Sequence, residues 1–380
     1  MGGKELTLMF WNVENFFDWR NDSTTVSDVE FSAAGERHWT WKRFQAKANA
    51  FAKALFWVEA ETGRLPDIVG LEEVENAFVL RQVLQKTALR KLDYKYVHYD
   101  SPDRRGIDVA LLYRSSRLEL IDSKPCHLYA ADTVMATRDI LLCVFRRAGS
   151  PVMPDPPPSP VMPDPDRASI TTIQEIPGQA GNDESGQAGN DGKGRDGQDC
   201  AFAVLVNHHP SKYGGAAESE PRRRIAVERL RFLADSLAAV GIDRIIAGGD
   251  FNDTPDNPVF GLLEPVLRPM HMDLSRRGFG TIKFDGKWDF IDHIYVSPAL
   301  VSVPMSPATF DSFLGEANRR TDKVGTPSAR AQMRILRIPF LLTRDTVHSG
   351  EKPLRTYTGP RHTGGVSDHL PVLLEVPWPP

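Results

Sequence analysis

Carboxylates, carboxamides and histidines recur in this chain where short apolar runs stop or start. Asn12 and Glu14 follow LTLMFW, Glu73 follows DIVGL, and His208 ends AFAVLVN. Asp250 and Asn252 end RIIAGG, Asp292 lies in FIDHIYVS, and Asp368-His369 precede the run LPVLLEV. Taken singly, each is better read as ordinary structure. Asn12 is a turn former, Gly249-Asp250 a turn, Ser367-Asp368 a cap, and His208 a satisfied, partly buried histidine. Together they form a set with chemical capacity. Oxygen ligands of this kind suit a hard cation such as Mg²⁺, and imidazoles suit proton handling near neutral pH.

The elements that must position these residues are those of an α/β protein. LTLMFWN and DIVGLEEVE are apolar runs ending in polar residues, as a buried strand that stops at a site would. Between them Phe44, Ala48, Phe51, Ala52, Leu55 and Val58 recur at helical spacing after Trp39-Thr40, which predicts an amphipathic helix. IDVALLY, DILLCVF, AFAVLVNH, RIIAGGDF, FIDHIYVS and HLPVLLEV are further strand candidates, and a helix is expected from about Pro221 to Val240. DILLCVF and AFAVLVNH read as neighbouring strands of one hairpin. The whole fits two β-sheets packed face to face with helices outside.

Between Phe145 and Phe202, 56 consecutive residues contain no Phe, Trp or Tyr, and a stretch like that builds no core. SPVMPDP and GQAGND each occur twice within it, too short to be solenoid units. Residues 147–199 are therefore expected to be a disordered Pro/Gly-rich insertion at a hairpin tip, within one domain spanning 1–380. Closing a long loop costs only about (3/2)RT ln n, so such an insertion is tolerable. A proline-rich docking ligand is the weaker alternative, since no basic residue closely flanks the prolines.

Composition narrows the classes. With 41% hydrophobic and 25% charged residues the chain is globular, and a net charge of −4 argues against a long basic nucleic-acid surface. An enzyme touching a few phosphates is not excluded. No apolar run reaches the roughly 18 residues of a membrane helix, and the N-terminus has no signal-peptide core. A cytoplasmic monomer without stable membrane association is expected. Cys126, Cys143 and Cys200 lie in no metal-type pair and read as ordinary thiols.

WNVEN (11–15), GLEEVEN (70–76), VNHHPS (206–211), GGDFND (248–253), FIDHIYVS (290–297) and VSDHLPV (366–372), in that order, resemble the endonuclease/exonuclease/phosphatase superfamily. HYDSPDRRGIDVALLYR (98–114) and SEPRRR (219–224) are similar to its bacterial nuclease-like branch. The resemblance spans nearly everything but the insertion. It implies the four-layer α/β sandwich of deoxyribonuclease I and the abasic-site endonucleases, with the active site at one rim. It also implies metal-dependent phosphodiester hydrolysis by in-line attack of an activated water.

On that resemblance Glu73 is the main metal-binding glutamate, with Asn12 and Asp368 completing the surroundings of Mg²⁺ or Mn²⁺, and Glu14 supports a second ion or an ordered water. Glu72 stands where the family usually has glutamine, and its extra charge would alter metal affinity. Asp250 and Asn252 activate or align the water. His369 serves the phosphate with Asp292 holding its imidazole, and His208 is the second histidine at the phosphate oxygens. His209 is given no role. Whether Asp250 or His369 takes the water's proton is open at this point.

Substrate choice rests on less. Arg104-Arg105, Arg222–Arg224 and Arg319-Arg320 could contact phosphates, although arginine runs are more often solvated helix faces. Trp288 could stack on a base or sugar, and packing against a loop is an equal alternative. No apolar stripe suits a lipid, so a nuclease acting on DNA or RNA leads. A phosphoinositide phosphatase or sphingomyelinase-type phosphodiesterase is the alternative. A calcineurin-type metallophosphatase would need Asp-x-His after the first strand and Gly-x-His near the end, and WNVEN and VSDHLPV supply neither. An inactive binding module is disfavoured because every expected polar position is filled.

Overall fold

The computed structural model describes residues 5–22, 25–149, 201–212, 215–301 and 331–377. Nearly all of the expected insertion, together with Cys200, Arg319 and Arg320, lies outside the described residues. In chain order the first sheet draws on β1 (Glu5–Phe16), β2 (Ile68–Val74), β3 (Tyr94–His98) and β4 (Asp108–Arg114). The second takes β5 (Leu118–Cys126), β6 (Ile140–Arg147), β7 (Phe202–His208), β8 (Ile245–Asp250), β9 (Arg268–Pro269) and β10 (Asp292–Val296). The chain then returns to the first sheet with β11 (Gln332–Ile335) and β12 (Val372–Pro377). The strand orders are β11-β12-β1-β2-β4-β3 and β9-β10-β8-β7-β6-β5.

Each sheet has one parallel pair at its centre, β1 with β2 and β7 with β8; the other pairings are antiparallel. Parallel neighbours need a crossover. Helix α1 (Trp41–Thr62) links β1 to β2, and after β2 comes α2 (Ala77–Lys86). Helix α3 (Ala216–Ala239) links β7 to β8. It begins a turn earlier than the sequence suggested: Pro221, read as its start, lies in its second turn. Both βαβ units deliver the C-terminal ends of their parallel strands to the same rim, where open α/β sheets place ligands.

Three apolar layers hold four structural layers together. Leu6, Leu8 and Phe10 of β1 meet Val204, Val206, Ile246 and Ile294 between the sheets. Met9, Trp11 and Val13 alternate outward against Phe44, Ala48, Phe51 and Leu55 of α1. On the far side Ala203, Leu205 and Ala247 face Val227, Leu230 and Ala234 of α3. A strand buried on both faces reads as a near-continuous apolar run, which accounts for LTLMFW, interrupted only by the buried Thr7. The expected hairpin is present, with Phe145 of β6 opposite Phe202 of β7. Cys126 and Cys143 are buried, and Cys143 is a free thiol.

Candidate active site

In the second sheet the ladder itself builds a row of functional side chains. Asp250 is opposite His208 on the parallel neighbour and opposite Asp292 on the antiparallel one. Three adjacent strands thus carry His208, Asp250 and Asp292 at one level, all buried.

The first sheet faces that row with residues aimed by irregular backbone. The β1/β2 register shifts between Asn12 and Phe16, and the β2/β4 register shifts between Glu72 and Val74. Glu73 is the extra residue of the second bulge, with φ +64°. Glu14 (φ +47°), Asn15 (φ +50°) and Asn252 (φ +51°) are also left-handed. Non-glycine residues seldom adopt that conformation, and such outliers cluster where function over-determines the backbone. Leu71 and Val74 both face α1 while Glu72 points between the sheets, so the bulge turns Glu73 out to the rim. There Glu73 Oε2 accepts a hydrogen bond from Asn15 N at 2.8 Å.

The two rows meet in a cavity of about 230 Å³ lined by Asn12, Glu14, Asn15, Glu73, Arg105, His208, Ser211, Asp250, Asn252, Arg355, Asp368 and His369. No apolar side chain is among them. Asp292 lies directly behind, its two oxygens 2.9 and 3.1 Å from His369 Nδ1. Among the described residues singled out from the sequence, Arg104, Arg222, Arg224 and Trp288 do not line this cavity; Trp288 sits in the hairpin strand Lys287–Asp289, with the Arg337 guanidinium 4.9 Å over its ring. Arg223 is also removed from any surface role, being buried and paired with Asp253 at 3.0 Å. That pair ties α3 to the GGDFND turn. Asn15, Ser211 and Arg355 join the site without having been anticipated.

Asp250 is held by amides: Asn12 Nδ2 and Asn252 Nδ2 each donate to Oδ2 at 3.1 Å, and Asn252 N donates to Oδ1 at 2.8 Å. Burial pushes its carboxyl up to about 7 against the pull of His369. Burial disfavours the charge on His369, but Asp292, Asp250 and Asp368 outweigh it and hold the imidazole well above its ordinary value. His208 goes the other way. Buried beside Arg138 and Arg105, it stays well below the usual imidazole range and is neutral, with Nε2 3.6 Å from Asp250 Oδ2 and 3.9 Å from Glu73 Oε1.

A separate trio, His98, Asp100 and Asp108, brings possible ligand atoms within 4.8 Å of one another. Asp108 is already committed there, Oδ2 to His98 Nε2 at 3.1 Å and Oδ1 to Ser101 N at 2.9 Å, and Asp100 is exposed. The trio reads as a braced loop.

Solved structures similar in fold include the human Nocturnin catalytic domain with bound sulfate, 14% identical over 98% of this chain and 94% of that one, with a TM-score of 0.48. TDP2 of D. rerio complexed with single strand DNA product is 13% identical over 98% and 99%, with a TM-score of 0.47. A mannosyl-6-phosphatase of Bacteroides thetaiotaomicron is 14% identical over 97% and 98%, with a TM-score of 0.48. No curated protein matches the sequence significantly. A model of the Endonuclease/Exonuclease/phosphatase family matches residues 7–150 and 193–377. With that match spanning both halves of the rim and both sheets of the deoxyribonuclease I-like sandwich, the chain belongs to the endonuclease/exonuclease/phosphatase family of phosphoesterases.

Proposed function

We propose that the protein hydrolyses phosphodiester bonds of nucleic acid with the help of a divalent cation, Mg²⁺ or Mn²⁺, held by Glu73 with Asn12 and Asp368. The observation that carries this reading is one wholly polar cavity in which Glu14, Glu73, Asp250 and Asp368 converge with two imidazoles. Carboxylates this crowded repel one another: Glu14 is driven up to about 7 by burial and by Asp368. A hard cation relieves that repulsion, and an oxygen donor set fits it. When bound, such an ion supplies positive charge to a nonbridging phosphate oxygen.

The chain's own side chains account for the remaining requirements. Asp250, near neutrality and oriented by two carboxamides, accepts the proton of the attacking water as the new O–P bond forms. His369 carries its proton and is fixed in orientation by Asp292, so it can give that proton to the leaving oxygen as the P–O bond breaks. The opposite protonation tendencies of the two groups support Asp250 as the base. Neutral His208 offers an N–H to a second oxygen. Arg105 lies 3.8 Å from Glu73, half exposed, within reach of the substrate backbone. A lining without apolar residues favours a hydrophilic polymer over a lipid.

Plasmid DNA, abasic duplex, RNA and a phosphoinositide incubated with Mg²⁺ test the reading, alongside Glu73→Gln. Cleavage of a nucleic acid, abolished in Glu73→Gln at an unchanged melting temperature, is expected. Turnover of the phosphoinositide with no nucleic acid cut would transfer the site to lipid chemistry, and an active Glu73→Gln would remove the metal assignment.

A further inference from the structure

Two glutamates flank the cavity, and their surroundings differ. Glu73 is open: Oε2 takes the Asn15 amide, while Oε1 has the Arg105 guanidinium Nη2 at 3.8 Å and the neutral His208 Nε2 at 3.9 Å, both beyond hydrogen-bond range. Glu14 is closed. Its Oε1 is met by Arg355 Nε and Nη2, each at 3.1 Å, and its Oε2 accepts from Thr356 N at 2.6 Å. Lys47, buried on α1, donates to the Glu14 carbonyl and, at 2.9 Å, to Thr356 Oγ1, which fixes the same corner from below. Arg355 does not stop at Glu14. Its Nη2 also lies 3.0 Å from Asp368 Oδ2, so one planar guanidinium bridges two carboxylates across the mouth of the site.

A bridge between two carboxylates at the edge of a phosphate-handling cavity is where a second divalent ion would lie in a two-ion site, and here the position is filled by the chain. We infer that Arg355 is a built-in second cation: the protein binds one divalent ion, at Glu73, and the guanidinium between Glu14 and Asp368 takes the place of another. The inference rests on the metal reading given above for Glu73. Arg355 lines the cavity with half of its side chain exposed, and among the described residues its Nη1 makes no hydrogen bond. That leaves donors of the rigid fork to meet a phosphate oxygen. A guanidinium does not titrate in the working range and does not dissociate, so the charge it contributes is independent of metal supply.

The discriminating measurement is a count of bound ions on the full chain, by Mn²⁺ electron paramagnetic resonance and by calorimetry without substrate. The wild type is expected to bind one ion. Arg355→Ala should vacate the bridge and take up a second, weaker one, while turnover falls about 10²-fold or more, as on loss of a preorganised donor. Arg355→Gln, neutral but able to hydrogen-bond Glu14, should also gain the second ion and guards against a folding defect in the alanine variant. Two ions on the wild type, or a count that stays at one in both variants, would overturn the inference and leave Glu73 untouched. No ion on the wild type would overturn the Glu73 reading, and this inference with it.

Discussion

Glu72 and Glu73 are adjacent, alike and differently placed. Glu72 lies fully buried between the sheets, neither carboxylate oxygen has a hydrogen-bond partner among the described residues, and burial, then Asp292 and Asp250, holds its carboxyl well above the usual range. That burial favours the neutral form of the acid, which is close in shape to the glutamine that the family resemblance implies. His209, left without a role, is likewise read differently once placed. Its ring packs 4.4 Å from that of Phe251, both nitrogens lack partners among the described residues, and burial presses it down to about 3. Its carbonyl, not its ring, serves the site, accepting from Asn252 Nδ2 at 3.0 Å and Arg138 Nη2 at 2.7 Å. A histidine depressed in the folded state contributes stability that is whole above about pH 6.5 and drains as pH falls toward 3. His209→Phe keeps the packing and removes the titration. Its stability relative to wild type should rise by up to about 1.4 kcal/mol per pH unit below 6.5, with turnover at pH 7.5 little changed. Urea unfolding of both proteins at pH 7.5, 6 and 5 gives the difference, and a pH-independent difference would show that His209 is not held neutral.

The elements were largely legible and the irregularities between them were not. The wholly buried run LTLMFW, helical spacing from Phe44 to Val58 and polar residues at strand ends were readable as pattern, and the fold brings Asn12, Glu73, His208, Asp250 and His369 to one cavity. Bulges carry no comparable signal: a glutamate or asparagine at positive φ looks in sequence like any other. Arg355 had none either, since it lies outside every strand-end motif and meets Glu14 from 341 residues away. Trp288 shows the converse, an aromatic near a motif whose hairpin turns it toward Arg337. Spacing between the sheets is likewise set by something a sequence does not announce. The Phe10 ring lies against Gly70 on its own sheet and Gly248 on the other, so close that a Cβ at either would fall 2.4 or 2.6 Å from a ring carbon. Gly248→Ala should therefore lower stability by about 1–3 kcal/mol through overpacking. It should also lower turnover, because Asp250 lies two residues further along the same strand. Adding Phe10→Leu should recover part of both losses, and thermal melts with initial rates on the single and double variants would measure that coupling.

At the scale of the molecule, β6 and β7 pair directly through Phe145 and Phe202, on either side of residues 150–200. The interrupted hairpin can be closed by a short turn. Deleting residues 150–198 in favour of a Gly-containing linker should leave the melting temperature and turnover near those of the full chain, and loss of either would show that the segment packs. Among the described residues no helix is long and apolar enough to cross a membrane. The sheet that opens the chain is also the one that closes it. Strand β12 pairs with β1, from Glu5 opposite Pro377 to Phe10 opposite Val372, and the Trp11 indole donates to the His369 carbonyl at 3.0 Å. Translation runs in one direction, so a ribosome that has already delivered β1 through β10 has made most of the site but neither Asp368 nor His369. A nascent chain therefore holds an incomplete cavity, lacking Asp368 and His369, until its closing strand emerges and docks against β1.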